Sequence, residues 1–188
     1  WIPLLQLSNK HALKFGHDVI FTYGPLGYLL FPIEPLQLLI SSLISLGMLL
    51  PFGIFFIRKL SFTDFFFLLV FTIVSITCSA YDLFVFLFPM LIWNVLEIKN
   101  PWFKYGGIVY TGILAAGAVL IKFMCAPVIL FSLLINDILL FRRKKFILAL
   151  PVFLFFLFLI WCYPARQDIS HLYHFFVYSW QISVGYNH

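Results

Sequence analysis

LQLLISSLISLGMLLPFGIFFI, residues 36–57, carries no charged side chain across its whole length. At a rise of 1.5 Å per residue, a helix over this stretch covers a bilayer core of ~30 Å. The run is continuous rather than alternating, which excludes a transmembrane β-barrel strand. Arg58 and Lys59 close it, and a polar loop with Ser61, Thr63 and Asp64 follows. This one stretch sets the expectation for the chain: helices whose solvent is lipid.

Composition says the same of all 188 residues: 63% are hydrophobic, 21% aromatic and 10% charged. A soluble domain carries about 25% charged residues, so this chain lacks the polar surface to cover a globule. The expected fold class is all-α, a polytopic transmembrane helix bundle of about six spans with two interfacial helices on the outer face. Further spans are expected at about 65–80, 83–97, 105–121, 124–141 and 146–163, separated by Tyr81-Asp82, the loop from Glu97 to Lys104, Lys122, and Arg142-Arg143-Lys144-Lys145. The chain reads as a single transmembrane domain over 1–188: an outer loop at 1–34, spans over 35–163, and an outer interfacial helix over 164–188. Because residue 1 is Trp with no cationic leader, it reads as a fragment of a longer protein.

The net charge of +5 gives direction rather than a nucleic-acid partner. Arg58, Lys59, Lys99, Lys104 and Arg142–Lys145, eight of the twelve basic residues, fall at alternate span ends, so those ends are expected in the cytoplasm. All five histidines, with Asp18, Glu34, Asp82 and Asp168, then fall on the opposite side. Cys78, Cys125 and Cys162 are scattered among apolar residues and show neither disulfide nor metal spacing.

Two polar stretches interrupt the apolar scaffold. Gly16-His17-Asp18 to Tyr28 combines a carboxylate, an imidazole, tyrosines and a glycine–proline turn. It follows a short amphipathic helix over 1–15, for which Gly16 is the expected stop. Arg166 to Gln181 reads as a second interfacial helix, with Asp168 as N-cap and Gly185 as stop. His171 and His174 lie i, i+3 on it and form a weak metal pair that Asp18 or His17 would complete. No cofactor is otherwise expected. Asp137, five residues before Arg142, is expected to pair with that basic cluster.

Three segments, GHDVIFTYGPLGYL (16–29), AAGAVLIKFMCAP (115–127) and ARQDISHLYHFFVYSWQISVGYN (165–187), resemble parts of bacterial GT-C-type integral membrane glycosyltransferases. These are relatives of the protein mannosyltransferases and of the lipid A aminoarabinose transferases. The resemblance implies transfer of a sugar from a polyprenyl-phosphate donor on the outer face of the bacterial inner membrane, with the lipid bilayer and that donor as partners. It places Asp18 in the kind of loop that holds the family's catalytic acid, as general base toward the acceptor hydroxyl. Lys122 and Arg166 with Gln167 are then candidates for the lipid phosphate, Tyr23 for stacking on the sugar, and His17 and Asp82 for further substrate contacts. Each has a bland alternative: a turn-closing aspartate, a snorkelling lysine, a juxtamembrane arginine. A transporter or flippase ranks second, because the span interiors carry almost no charge and no internal repeat is visible. A non-catalytic membrane scaffold ranks third.

Overall fold

Asn100 and Pro101 show how the loops set the helices. The Asn100 side chain accepts the Trp102 N–H at 3.0 Å, and Pro101, which has no N–H to satisfy, opens the helix behind it. Gln37 does the equivalent two positions inside another helix: its Oε1 accepts the N–H groups of Ile33 and Glu34, and Pro35 stands at the first turn.

The computed structural model describes residues 2–58, 80–98, 100–142 and 149–185. Among them are seven α-helices and no strands. They are α1 (Ile2–Lys10), α2 (Pro35–Arg58), α3 (Ala80–Glu97), α4 (Pro101–Ile121), α5 (Ala126–Arg142), α6 (Ala149–Cys162) and α7 (Ser170–Gly185). Short 3-10 turns stand at Gly27–Leu30 and Phe123–Cys125. The span expected at 65–80 lies outside the described residues, apart from the first residue of α3. So do Cys78, Asp64, His188 and the basic side chains from Arg142 to Lys145.

Two described helical stretches, Pro101–Ile121 and Phe123–Phe141, are long and apolar enough to cross a membrane. Pro35–Met48 and Ala149–Cys162 are shorter apolar helices. Large apolar side chains face outward along α2 and α5, among them Leu39 at 58%, Phe131 at 65% and Phe141 at 69% exposure. A water-soluble surface rarely presents such contiguous apolar area.

α4 is the axis of the bundle. Its Ala115, Ala116 and Ala118 are fully buried, and their small size admits α6, whose Phe153, Leu157 and Trp161 fill the interior. Gly112 lets Val152 approach closely. Tyr110 donates to the Gly47 carbonyl of α2 at 2.5 Å, and Gly107 lies under Val95 of α3.

Asp137 has described partners on α6, while the basic cluster with which it is expected to pair lies outside the described residues. Its two carboxylate oxygens accept the N–H groups of Ala149 and Leu150 at 2.8 and 2.9 Å, so it caps the start of α6. A carboxylate there satisfies orphan donors and faces the positive end of the helix dipole.

These contacts fix which ends meet. The start of α2, Asp82 at the start of α3, the turn between α4 and α5, and the end of α6 share one end of the bundle. α1, the loop over 11–34 and α7 sit on that end. Lys104 stands at the other, in the first turn of α4.

Candidate functional site

The polar cap is built by the loop between α1 and α2. α1 stops at Lys10, and Ala12, at φ 49°, makes the left-handed turn after it. Gly16 is therefore not the helix stop. Its φ of +84° turns the chain tightly, and a Cβ there would sit 2.6 Å from the Phe175 nitrogen and 2.7 Å from the His171 carbonyl of α7. Glycine is needed because the loop backbone lies directly on α7.

Asp18 closes that turn. Its Oδ2 accepts the Lys14 N–H at 3.0 Å and its Oδ1 lies 2.7 Å from His17 Nδ1. The Lys14 N–H first, and His17 second, hold the Asp18 carboxyl below the ordinary carboxylate value. The hydrogen bonds outweigh desolvation because the group is exposed. Asp18 is consequently ionised at neutral pH, with lone pairs beyond the two it uses.

Lys14 and Asp168 form an ion pair at 2.7 Å that raises the pKa of the lysine and lowers that of the aspartate. Asp168 therefore does not cap α7 with its side chain. Its carbonyl accepts Trp161 Nε1–H at 2.9 Å and the His171 N–H, while its carboxylate serves Lys14 and stands 3.9 Å from His171 Nε2. The rings of His17 and His171 lie 5.3 Å apart. Lys14, His17, Asp18, Asp168 and His171 thus form one cluster. His174 belongs elsewhere, stacked on Tyr178 and edge-on to Tyr173. No three His, Cys, Asp or Glu side chains are grouped to hold a metal among the described residues.

Gln167 fastens the loop. Its Oε1 accepts the Phe15 N–H at 2.8 Å and its Nε2 donates to the carbonyls of Leu13 and Ala165 at 3.2 and 3.0 Å. Buried and fully engaged, its amide acts as a clasp on the loop, not as an open substrate ligand. Below the clasp, Phe175 packs on Phe15, Phe123 and Trp161, with centroids 6.5, 5.9 and 5.3 Å away. Ser179 adds a hydrogen bond to the Phe21 carbonyl at 2.9 Å.

Further on, the loop caps α4. Gly24 N–H donates to the Ile121 carbonyl and Leu26 N–H to that of Leu120, at 3.2 and 3.1 Å. These carbonyls would otherwise be unpaired at the helix end. A Cβ on Gly24 would collide with the Leu120 carbonyl. Tyr23 pairs with Lys122 in an isolated antiparallel bridge, and the Phe123 N–H donates to Thr22. Lys122 Nζ meets Asp82 Oδ1 at 2.5 Å. Partial burial opposes the charge on Lys122, yet the Asp82 hydrogen bond and charge prevail and its pKa is raised. Tyr23, Lys122 and Asp82 make a second cluster. Tyr23 lies five positions after Asp18, so their Cα atoms stand at most about 18 Å apart.

Arg166 makes no ion pair with either cluster among the described residues and lines a polar cavity of about 300 Å³ beside α1. The Lys14–Asp168 pair, the Gln167 clasp and this cavity escaped the sequence reading, since nothing local marks contacts across some 150 positions. The one available signal was Gly16, expected as a helix stop and not as a close approach to a distant helix.

No protein-family model, no curated protein and no solved structure matches this chain.

Proposed function

We propose that this chain is the membrane-embedded part of a glycosyltransferase that moves a sugar from a polyprenyl-phosphate donor to an acceptor on the extracytoplasmic face. One observation carries the reading. Side chains as distant in sequence as Asp18, Asp82, Lys122, Asp168 and His171 gather at one end of a bundle that is otherwise apolar. In this reading α2 to α6 belong to the set of spans, α1 and α7 lie at the outer interface, and the Lys104 end faces the cytoplasm.

The chemistry divides between the two clusters. The anomeric carbon–oxygen bond of the donor breaks, and its electron pair leaves with the polyprenyl phosphate. Lys122, held in place by Asp82, stabilises that departing charge. The acceptor oxygen bonds to the anomeric carbon, and its proton passes to Asp18. A carboxylate with a lowered pKa accepts this proton late, once the new bond has made the hydroxyl acidic. Tyr23, beside Lys122, offers a ring to the sugar.

The test is Asp18→Asn in the full-length protein, assayed for sugar transfer from a polyprenyl-phosphate donor. General-base catalysis contributes about 10²- to 10⁴-fold, and a loss of that size is expected. Undiminished transfer removes Asp18 from the role.

A further inference from the structure

The cavity beside α1 holds Arg166 and Gln167, candidates for the lipid phosphate by sequence, and none of the residues given a step in the proposed transfer. It is lined by Ser8, Asn9, Ala12, Phe15, Pro25, Tyr28 and the connection from Pro164 to Gln167. Three of its polar groups are unengaged by the rest of the described chain. Arg166 has no carboxylate partner, and the Asn9 amide and the Tyr28 hydroxyl have no hydrogen bond. Tyr28 is half-buried, and a tyrosine hydroxyl in that position usually finds a partner. Its pKa is raised by burial and drawn back by the Arg166 charge, which places the guanidinium within electrostatic reach of the phenol.

The backbone frames the cavity. Ala12 and Arg166, at φ 49° and 52°, are the only non-glycine residues with positive φ among the described residues, and both line this cavity. They stand where α1 and α6 end, so their left-handed turns bring the two helix ends to the same cavity. At Arg166 the bonds that pin the turn are visible. The N–H groups of Ala165, Arg166 and Gln167 donate in turn to Ile160, Tyr163 and Trp161 at 3.0, 3.3 and 3.0 Å. Glycine would take this φ freely, yet a long cation stands there on a pinned backbone.

We infer that this cavity is a binding site for a hydroxylated phosphate ester, with Arg166 meeting the phosphate and Asn9 and Tyr28 meeting the hydroxylated body. The planar guanidinium fork matches two phosphate oxygens at once. The cavity volume of about 300 Å³ leaves room beyond a bare phosphate for a small polar body. A soluble sugar phosphate and the glycerophosphate headgroup of a lipid share this chemistry. The site stands independently of the transfer reaction, and its test reads binding alone.

The experiment titrates full-length protein in phosphatidylcholine nanodiscs with glucose 1-phosphate, with inorganic phosphate as the small-anion comparison, and repeats the titration in nanodiscs containing phosphatidylglycerol. Saturable binding of glucose 1-phosphate in phosphatidylcholine, tighter than inorganic phosphate, assigns the site to a soluble ester. No such binding there, together with Arg166-dependent enrichment of phosphatidylglycerol around the protein, assigns it to the headgroup. Arg166→Gly is the decisive variant, because glycine suits the left-handed backbone and keeps the fold while removing the cation. It is expected to weaken either form of binding at least tenfold with an undiminished unfolding midpoint. Arg166→Lys, which keeps charge without the fork, should recover part of it. Binding that is absent in both nanodiscs, or unchanged in Arg166→Gly, overturns the assignment.

Discussion

Asp18 is the residue on which structure and chemistry meet. The same carboxylate that closes the Lys14–Val19 turn is the base of the proposed transfer, so its protonation state is set by the loop that holds it. A carboxyl whose pKa drops on folding stabilises the folded loop above its ordinary value, and that contribution disappears as pH falls through the lower, folded value. Asp18 and Asp168 both behave this way, starting from 3.8. Lys14 behaves oppositely: its contribution is present below 10.5 and is lost as pH rises through its raised, folded value. The loop is therefore expected to be equally well held between these limits and to loosen outside them. Amide exchange of residues 14–19 across pH checks this, and a carboxyl titration should place the Asp18 midpoint below 3.8. Gln167 makes a sharper case. Replacing it with Leu strands the buried Phe15 N–H and the Leu13 carbonyl, and a loss of about 2 kcal/mol in detergent unfolding is expected.

At the scale of elements, the decisive contact is a loop laid on α7. Gly16→Ala would force a side chain into the backbone of that helix and demand a left-handed alanine. We expect a stability loss of about 2 kcal/mol or more, with Trp161 fluorescence reporting detachment of α7 from the bundle end. At the far end, Asp137→Ala removes the cap of α6 and should cost about 1–2 kcal/mol, read by thermal unfolding. These elements were unequally legible. α4 and α5 follow from uninterrupted apolar runs parted by Lys122, and the structure starts or ends them within four residues of the expected limits. The end of α1 did not follow, because the left-handed residue that ends the helix is Ala12, and the left-handed Gly16 makes a separate turn beyond it. α7 begins at Ser170, two residues after the expected N-cap Asp168, and the N–H groups of Ala165 to Gln167 are tied back onto the end of α6. The first outcome reflects the packing of the loop on the distant α7, while the second is a local helix ending formed by residues three to six positions apart.

For the molecule as a whole, the asymmetry of the two ends was visible in the sequence, while the arrangement within the cap was not. Charge placement separated Asp18, Asp82, Lys122 and Arg166 from Lys104. It did not reveal that Lys122 pairs with Asp82 while Arg166 lines a cavity beside α1, or that Asp168 belongs to Lys14. The proposed orientation has a direct check. Single cysteines at Asn9 and Lys104, in an otherwise cysteine-free background, should react with a membrane-impermeant thiol reagent from opposite sides of sealed vesicles. The transfer site itself is tested most directly by a double-mutant cycle on sugar transfer with Asp18→Asn, Lys122→Met and both together. Groups acting in one bond-breaking step are non-additive, so each single variant should lose at least tenfold and the double little more than the worse single. Wild-type transfer rates in either single variant would contradict a reaction site built by this cap.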